Sequence, residues 1–111
     1  MIRRTSQPAV TVQFDHLASR MPSRANDEVT TFARMLAVGA RVVVTGYSAT
    51  YPINAQGLAL ATARAAAVRQ ALVSAGVALA RIENHVSGCV HGQVADMKSR
   101  TRCQIATIAV R

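Results

Sequence analysis

Residues 56–75 constrain the fold most. They read Gln-Gly-Leu-Ala-Leu-Ala-Thr-Ala-Arg-Ala-Ala-Ala-Val-Arg-Gln-Ala-Leu-Val-Ser-Ala and are followed by Gly76. Alanine and straight-chain residues favour helix, and a glycine just past the last turn is a good C′ residue. The segment therefore predicts a helix from Gln56 to Ala75. Leu60, Arg64, Val68 and Leu72 share one stripe, and Ala61, Ala65 and Leu72 share another. The alanines leave a thin, smooth surface on which a sheet can lie closely.

The helix is flanked by two strand-like segments. Arg41 to Thr45 is a short β-branched run, expected to be buried on both faces and ended by Gly46. Arg81 to Ser87 alternates, with Ile82, Asn84 and Val86 on one face. Upstream, Pro8 to Phe14 alternates Val10, Val12 and Phe14 with Thr11 and Gln13, which predicts another strand. A helix over 24–38 follows, with Val29, Phe32, Ala33 and Leu36 at helical spacing. Ser23 or Asn26 is its expected N-cap, Asp27 and Glu28 fall in its expected first turn, and Gly39 stops it. Arg102 to Val110 closes the chain as a strand after an irregular connection from Gly88 to Arg100. The order β-α-β-α-β-β implies an α/β (α+β) two-layer sandwich, a mixed four-stranded sheet with two helices on one face. Residues 1–8 read as a flexible lead-in, residues 9–111 as a single domain, and no internal repeat is visible.

At 111 residues, half of them hydrophobic, the chain can bury a modest core without a metal. The apolar-rich stretch from Gly57 to Ala80 is interrupted by Arg64, Arg69 and Gln70, so no membrane span is expected. Met1-Ile2-Arg3-Arg4 lacks a following apolar run, so no secretory signal is visible, and the chain is expected to be either cytoplasmic or a mature fragment whose targeting segment is not present in this sequence. Thirteen basic residues face five acidic ones, a formal net charge of +8. Such a surface favours anionic partners. Nucleic acid is not expected, because there is no Trp, only two Phe and two Tyr, and no dense basic run.

Phe14-Asp15, Gly46-Tyr47-Ser48-Ala49, Leu58-Ala59 with Arg64-Ala65, and Arg100-Thr101-Arg102-Cys103-Gln104-Ile105, in this order, resemble the motifs of the OmpA-like (OmpA and MotB C-terminal) peptidoglycan-associated domain family. Phe14-Asp15 matches the end of that family's first strand. Gly46-Tyr47-Ser48-Ala49 stands where the family has Gly-His-Thr-Asp. Leu58-Ala59 precedes Arg64-Ala65, followed by Val68, Leu72 and Gly76. Arg100-Thr101-Arg102-Cys103-Gln104-Ile105 stands where the family has Asn-Arg-Arg-Val-Glu-Ile. The resemblance implies a non-catalytic module of the bacterial cell envelope, in the periplasm and associated with the outer membrane. It further implies a clamp for the diaminopimelate of a peptidoglycan stem, with the helix arginine, here Arg64, on the ligand carboxylate and an aspartate on its ammonium. A guanidinium meets a carboxylate bidentately, which suits the first task. The aspartate position is Ala49, so half of the charge pair is missing. Losing one partner of such a pair costs about 2–5 kcal/mol.

The expected ligand pocket comprises Arg64, Ser48, Tyr47, Asn54, Asp15 and Arg102, with Asp15 a possible substitute acid. Arg64 has two readings: it binds a carboxylate, or its stem lies along the helix while its head reaches water. Tyr47, Ser48, Thr50, Tyr51 and Asn54 form either a polar pocket or an ordinary turn around Pro52. Cys89 and Cys103 form a disulfide in an oxidising compartment, worth about 3 kcal/mol, or remain two thiols in a reducing one. No metal-ligand spacing, cofactor motif, nucleophile elbow or carboxylate pair is present, so neither a metal, a cofactor nor catalysis is expected. Two functions stand ahead of a distant third, a cytoplasmic basic binding module. One is an interaction scaffold in an envelope-spanning secretion, conjugation or pilus assembly, with peptidoglycan binding weakened or lost. The other is a working peptidoglycan anchor through Arg64.

Overall fold

Helix α2, Ala55–Ser74, forms within one residue of the sequence expectation at both ends. Its C-terminus shows why. Gly76 takes φ +106°, Gly76 N–H bonds the Val73 carbonyl and Val77 N–H bonds the Leu72 carbonyl, both at 3.0 Å. This pair of bonds closes the last turn, and the left-handed residue it needs is a glycine. A Cβ at Gly76 would meet nothing within 4 Å, so its only cost is backbone strain. Gly76→Ala is therefore expected to lower stability by about 1 kcal/mol, read as a shift in the urea midpoint with unchanged slope.

The computed structural model describes residues 9–15, 18–48, 55–88 and 104–111. The remaining elements are β1 Val10–Gln13, α1 Ser23–Met35, β2 Val42–Ser48, β3 Ile82–Gly88 and β4 Ile105–Val110, with a 3-10 turn at Leu79–Arg81 before β3. The four strands form one sheet in the order β1-β4-β2-β3. β2 and β3 are parallel, Val42 opposite Ile82, as expected for strands joined through α2. β4 is antiparallel to both neighbours, pairing Val44 with Ile108 and Val12 with Ala106. The mixed four-stranded sheet with two helices follows the sequence reading.

Both helices cover the same face. Val12, Val42, Val44, Ala106 and Ile108 from the sheet join Ala25 and Val29 of α1 and Ala65, Val68 and Leu72 of α2 in one core. Each fully buried valine or leucine contributes about 1.5–3 kcal/mol of transfer free energy. The opposite face carries Val43, Thr45 and Tyr47 of β2, which are half-buried. β2 is thus not equally buried on both sides, as its apolar run had suggested. On that second face Glu83 of β3 accepts from His85 at 2.5 Å and pairs with Arg111. The hydrogen bond from His85, then Arg111, holds the Glu83 carboxyl below the usual carboxylate range.

Three local expectations are corrected. Pro22 occupies the N-cap of α1 with no side-chain cap, so neither Ser23 nor Asn26 plays that role. The helix begins at Ser23 because Pro22 is already extended, and this leaves Asp27 and Glu28 beyond the first turn. α1 stops at Met35, before 38, because Leu36 turns extended (ψ 134°), while Gly39 takes φ +85° in the following turn. Gly46 does not end β2; the strand runs through it to Ser48. A Cβ there would lie 2.0 Å from the Ala61 carbonyl oxygen and 2.9 Å from the Ala65 nitrogen. Gly46 is where the alanine stripe of α2 rests directly on the sheet. The lead-in 1–8, His16, Ala49, Thr50, Tyr51, Pro52, Asn54, Cys89, the connection 89–103, Arg102 and Cys103 lie outside the described residues.

Candidate functional site

Arg64 sits on the stripe of α2 that faces the sheet, between Ala61 and Val68. A charged residue there must either reach water or find acceptors. It is fully buried, at 0% exposure, so the reading in which its head reaches solvent is overturned. Its guanidinium finds its partners at the end of the sheet where β2 finishes and β4 begins. Nε–H donates to the Ala18 carbonyl at 2.8 Å. Nη1 donates to the Tyr47 carbonyl at 3.0 Å. Nη2 donates to the Asp15 carbonyl at 3.3 Å and to the side-chain oxygen of Gln104. The Phe14 ring lies 5.3 Å from Cζ, close enough for a cation–π contribution.

The sequence builds this cradle from three ends. β1 runs on beyond Gln13 because Phe14 N–H bonds the Gln104 carbonyl at 2.7 Å and Gln13 Nε2 donates to it at 3.1 Å. The chain then turns, Ala18 N–H to the Asp15 carbonyl at 3.0 Å, and two carbonyls come to face α2. Gln104, 3% exposed, stands on the core side of β4 just before Ala106 and Ile108. Arg64 therefore ties α2 to the ends of β1, β2 and β4.

Every acceptor around Arg64 named above is neutral: three backbone carbonyls and one amide. Burial lowers the guanidinium's pKa, but arginine stays protonated in proteins. The result is a buried positive charge with no carboxylate bonded to it among the described residues. Four of its five N–H donors are committed inside the protein.

The expected pocket residues are distributed as follows. Tyr47 reaches Arg64 through its carbonyl, while strand alternation sends its ring to the face without helices. Ser48 is buried at the same strand end, 1% exposed. Asp15 also acts through its backbone oxygen. Asn54 and Arg102 fall outside the described residues. Gln104 and Ala18 were not anticipated. Gln104 had a signal, because a polar residue at a core-facing strand position asks for a buried partner. Ala18 had none, since every residue carries a carbonyl.

No helix among the described residues is long and apolar enough to cross a membrane. A comparison with curated proteins finds no match. Solved structures do share the fold. The peptidoglycan-associated lipoprotein of Burkholderia pseudomallei is 23% identical, covering 91% of this chain and 89% of its own, with a TM-score of 0.78. The C-terminal domain of Helicobacter pylori MotB is 16% identical, covering 92% and 84%, with a TM-score of 0.77. The cell wall anchor of the T6SS from Pseudomonas aeruginosa is 23% identical, covering 90% and 78%, with a TM-score of 0.70. The OmpA family match spans residues 13–103, from the end of β1 to the residue before Gln104. Domains of that family are non-catalytic, envelope-associated binding and anchor modules. With most of its length inside the match and the same mixed sheet under two helices, the chain belongs to the OmpA family.

Proposed function

We propose that this is a non-catalytic periplasmic module, associated with the outer membrane, that serves as an interaction scaffold in an envelope-spanning secretion, conjugation or pilus assembly. Its hold on peptidoglycan is weakened or lost. The observation that carries this reading is the state of Arg64: fully buried, with four N–H donors taken by Ala18, Tyr47, Asp15 and Gln104. A guanidinium so engaged keeps one N–H for an incoming carboxylate, too little to hold a stem without an acid for its ammonium. The sequence adds that Ala49 cannot hold a cation. The likeness to a peptidoglycan-associated lipoprotein and to a cell wall anchor of the T6SS supports the envelope setting. In that setting residues 9–111 act as one domain and Cys89 pairs with Cys103.

The opposing reading keeps Arg64 as a peptidoglycan-stem anchor, with Ser48, Tyr47, Asn54, Asp15 and Arg102 around the ligand. It is favoured by Arg64 facing the strand end two residues before Ala49. Cosedimentation with purified sacculi separates the two. Wild-type protein should pellet no more than a non-binding control, and Ala49→Asp should create binding at least about 30-fold tighter. Wild-type binding as tight as that of Ala49→Asp would select the anchor.

A further inference from the structure

The end of the sheet opposite Arg64 carries an unassigned surface. Arg81, Arg41 and Arg111 immediately flank β3, β2 and β4. The register sets them side by side: Val42 lies opposite both Ile82 and Val110, and Arg111 N–H bonds the Arg41 carbonyl at 2.9 Å. Adjacent strands are about 5 Å apart, so three exposed arginines stand in one row. Glu83 answers Arg111 alone. Arg41 and Arg81 have no ion pair among the described residues. Beside the row, the C-terminal ends of α1 and α2 enclose a cleft of about 380 Å³, lined by Leu36, Ala37, Val38, Ala75, Val77 and Arg81 among others. No acidic residue is among the described residues that line it. Val38 is 100% exposed and Leu79 60%.

We infer that this pole is a docking site for an acidic, apolar segment of a partner protein, its apolar side chain in the cleft and its carboxylates on Arg41 and Arg81. Charge complementarity selects the partner: Arg41 and Arg81, without an ion pair among the described residues, repel one another until a carboxylate lies between them. A second copy of this chain would bring the same arginines and be repelled. A flat anionic membrane would meet the arginines but leave a concave cleft unfilled. β2 spans roughly 20 Å between the two ends, so this surface is physically separate from the Arg64 cradle. It supplies the scaffold reading with its partner-binding face.

The test uses a fluorescein-labelled synthetic peptide alternating glutamate and leucine, with glutamine for glutamate as its control, read by fluorescence anisotropy. The glutamate peptide should bind and the glutamine peptide should not. Arg41→Gln with Arg81→Gln should weaken binding roughly tenfold. Ala37→Trp, which fills the cleft and leaves the arginines, should weaken it comparably. Far-UV circular dichroism melts keep folding defects out of the comparison. Equal binding by either variant would overturn the site, as would flotation with phosphatidylglycerol vesicles without peptide binding. Sacculus pelleting is read separately: loss of the peptide site leaves the Ala49→Asp result standing, and the reverse holds.

Discussion

Gly46→Ala should destabilise the protein by about 3 kcal/mol or more, and should shift the urea midpoint far more than Gly76→Ala does. In an ordinary strand, exchanging glycine for alanine is neutral or helpful, because glycine is a poor strand former. Here the added methyl would lie 2.0 Å from the Ala61 carbonyl oxygen and 3.0 Å from its carbonyl carbon. Both belong to helix backbone, which no rotamer change can move. α2 must lift from β2, and the core made by Val44, Ala65, Val68 and Ile108 opens with it. A loss under about 1 kcal/mol would mean that the helix is free to shift and that the close seat on Gly46 is not a source of stability.

Arg64→Ala should cost about 2–4 kcal/mol of stability, independent of any ligand. The substitution removes the Arg64 donor from the Gln104 side-chain oxygen and from the carbonyls of Ala18 and Tyr47, while the Asp15 carbonyl keeps the Ala18 N–H. Buried acceptors stripped of a partner cost about 1–3 kcal/mol each, less where water enters the space. Arg64→Lys is the informative companion. It keeps the charge, but one ammonium cannot span four acceptors set around a planar fork, so it should recover less than half of the loss. Full recovery by lysine would show that charge, not the hydrogen-bonded tie, holds this corner. Chemical denaturation of the wild type and both variants reads this directly.

The long helix was legible because its evidence is local. Alanine content, stripe spacing and a C′ glycine all act within a few turns, and the observed helix agrees to one residue. The strand–helix–strand alternation was legible for the same reason, and it implied a mixed sheet. Errors arose where a residue's role comes from a distant neighbour. Gly46 reads as a breaker until α2 is laid across it. Asp27 and Glu28 read as first-turn acids until Pro22 starts the helix earlier.

Composition and periodicity on their own determined which segments become helices and strands, because propensity, capping and apolar spacing are properties of neighbouring residues. Tertiary structure alone decided the strand order β1-β4-β2-β3 and the fate of Arg64. The helical spacing set the arginine on one stripe with Leu60, Val68 and Leu72. That its head would be buried depended on carbonyls from residues 46 and 49 positions away. Such acceptors carry no sequence signature, since every residue offers the same group and only chain packing brings one within reach.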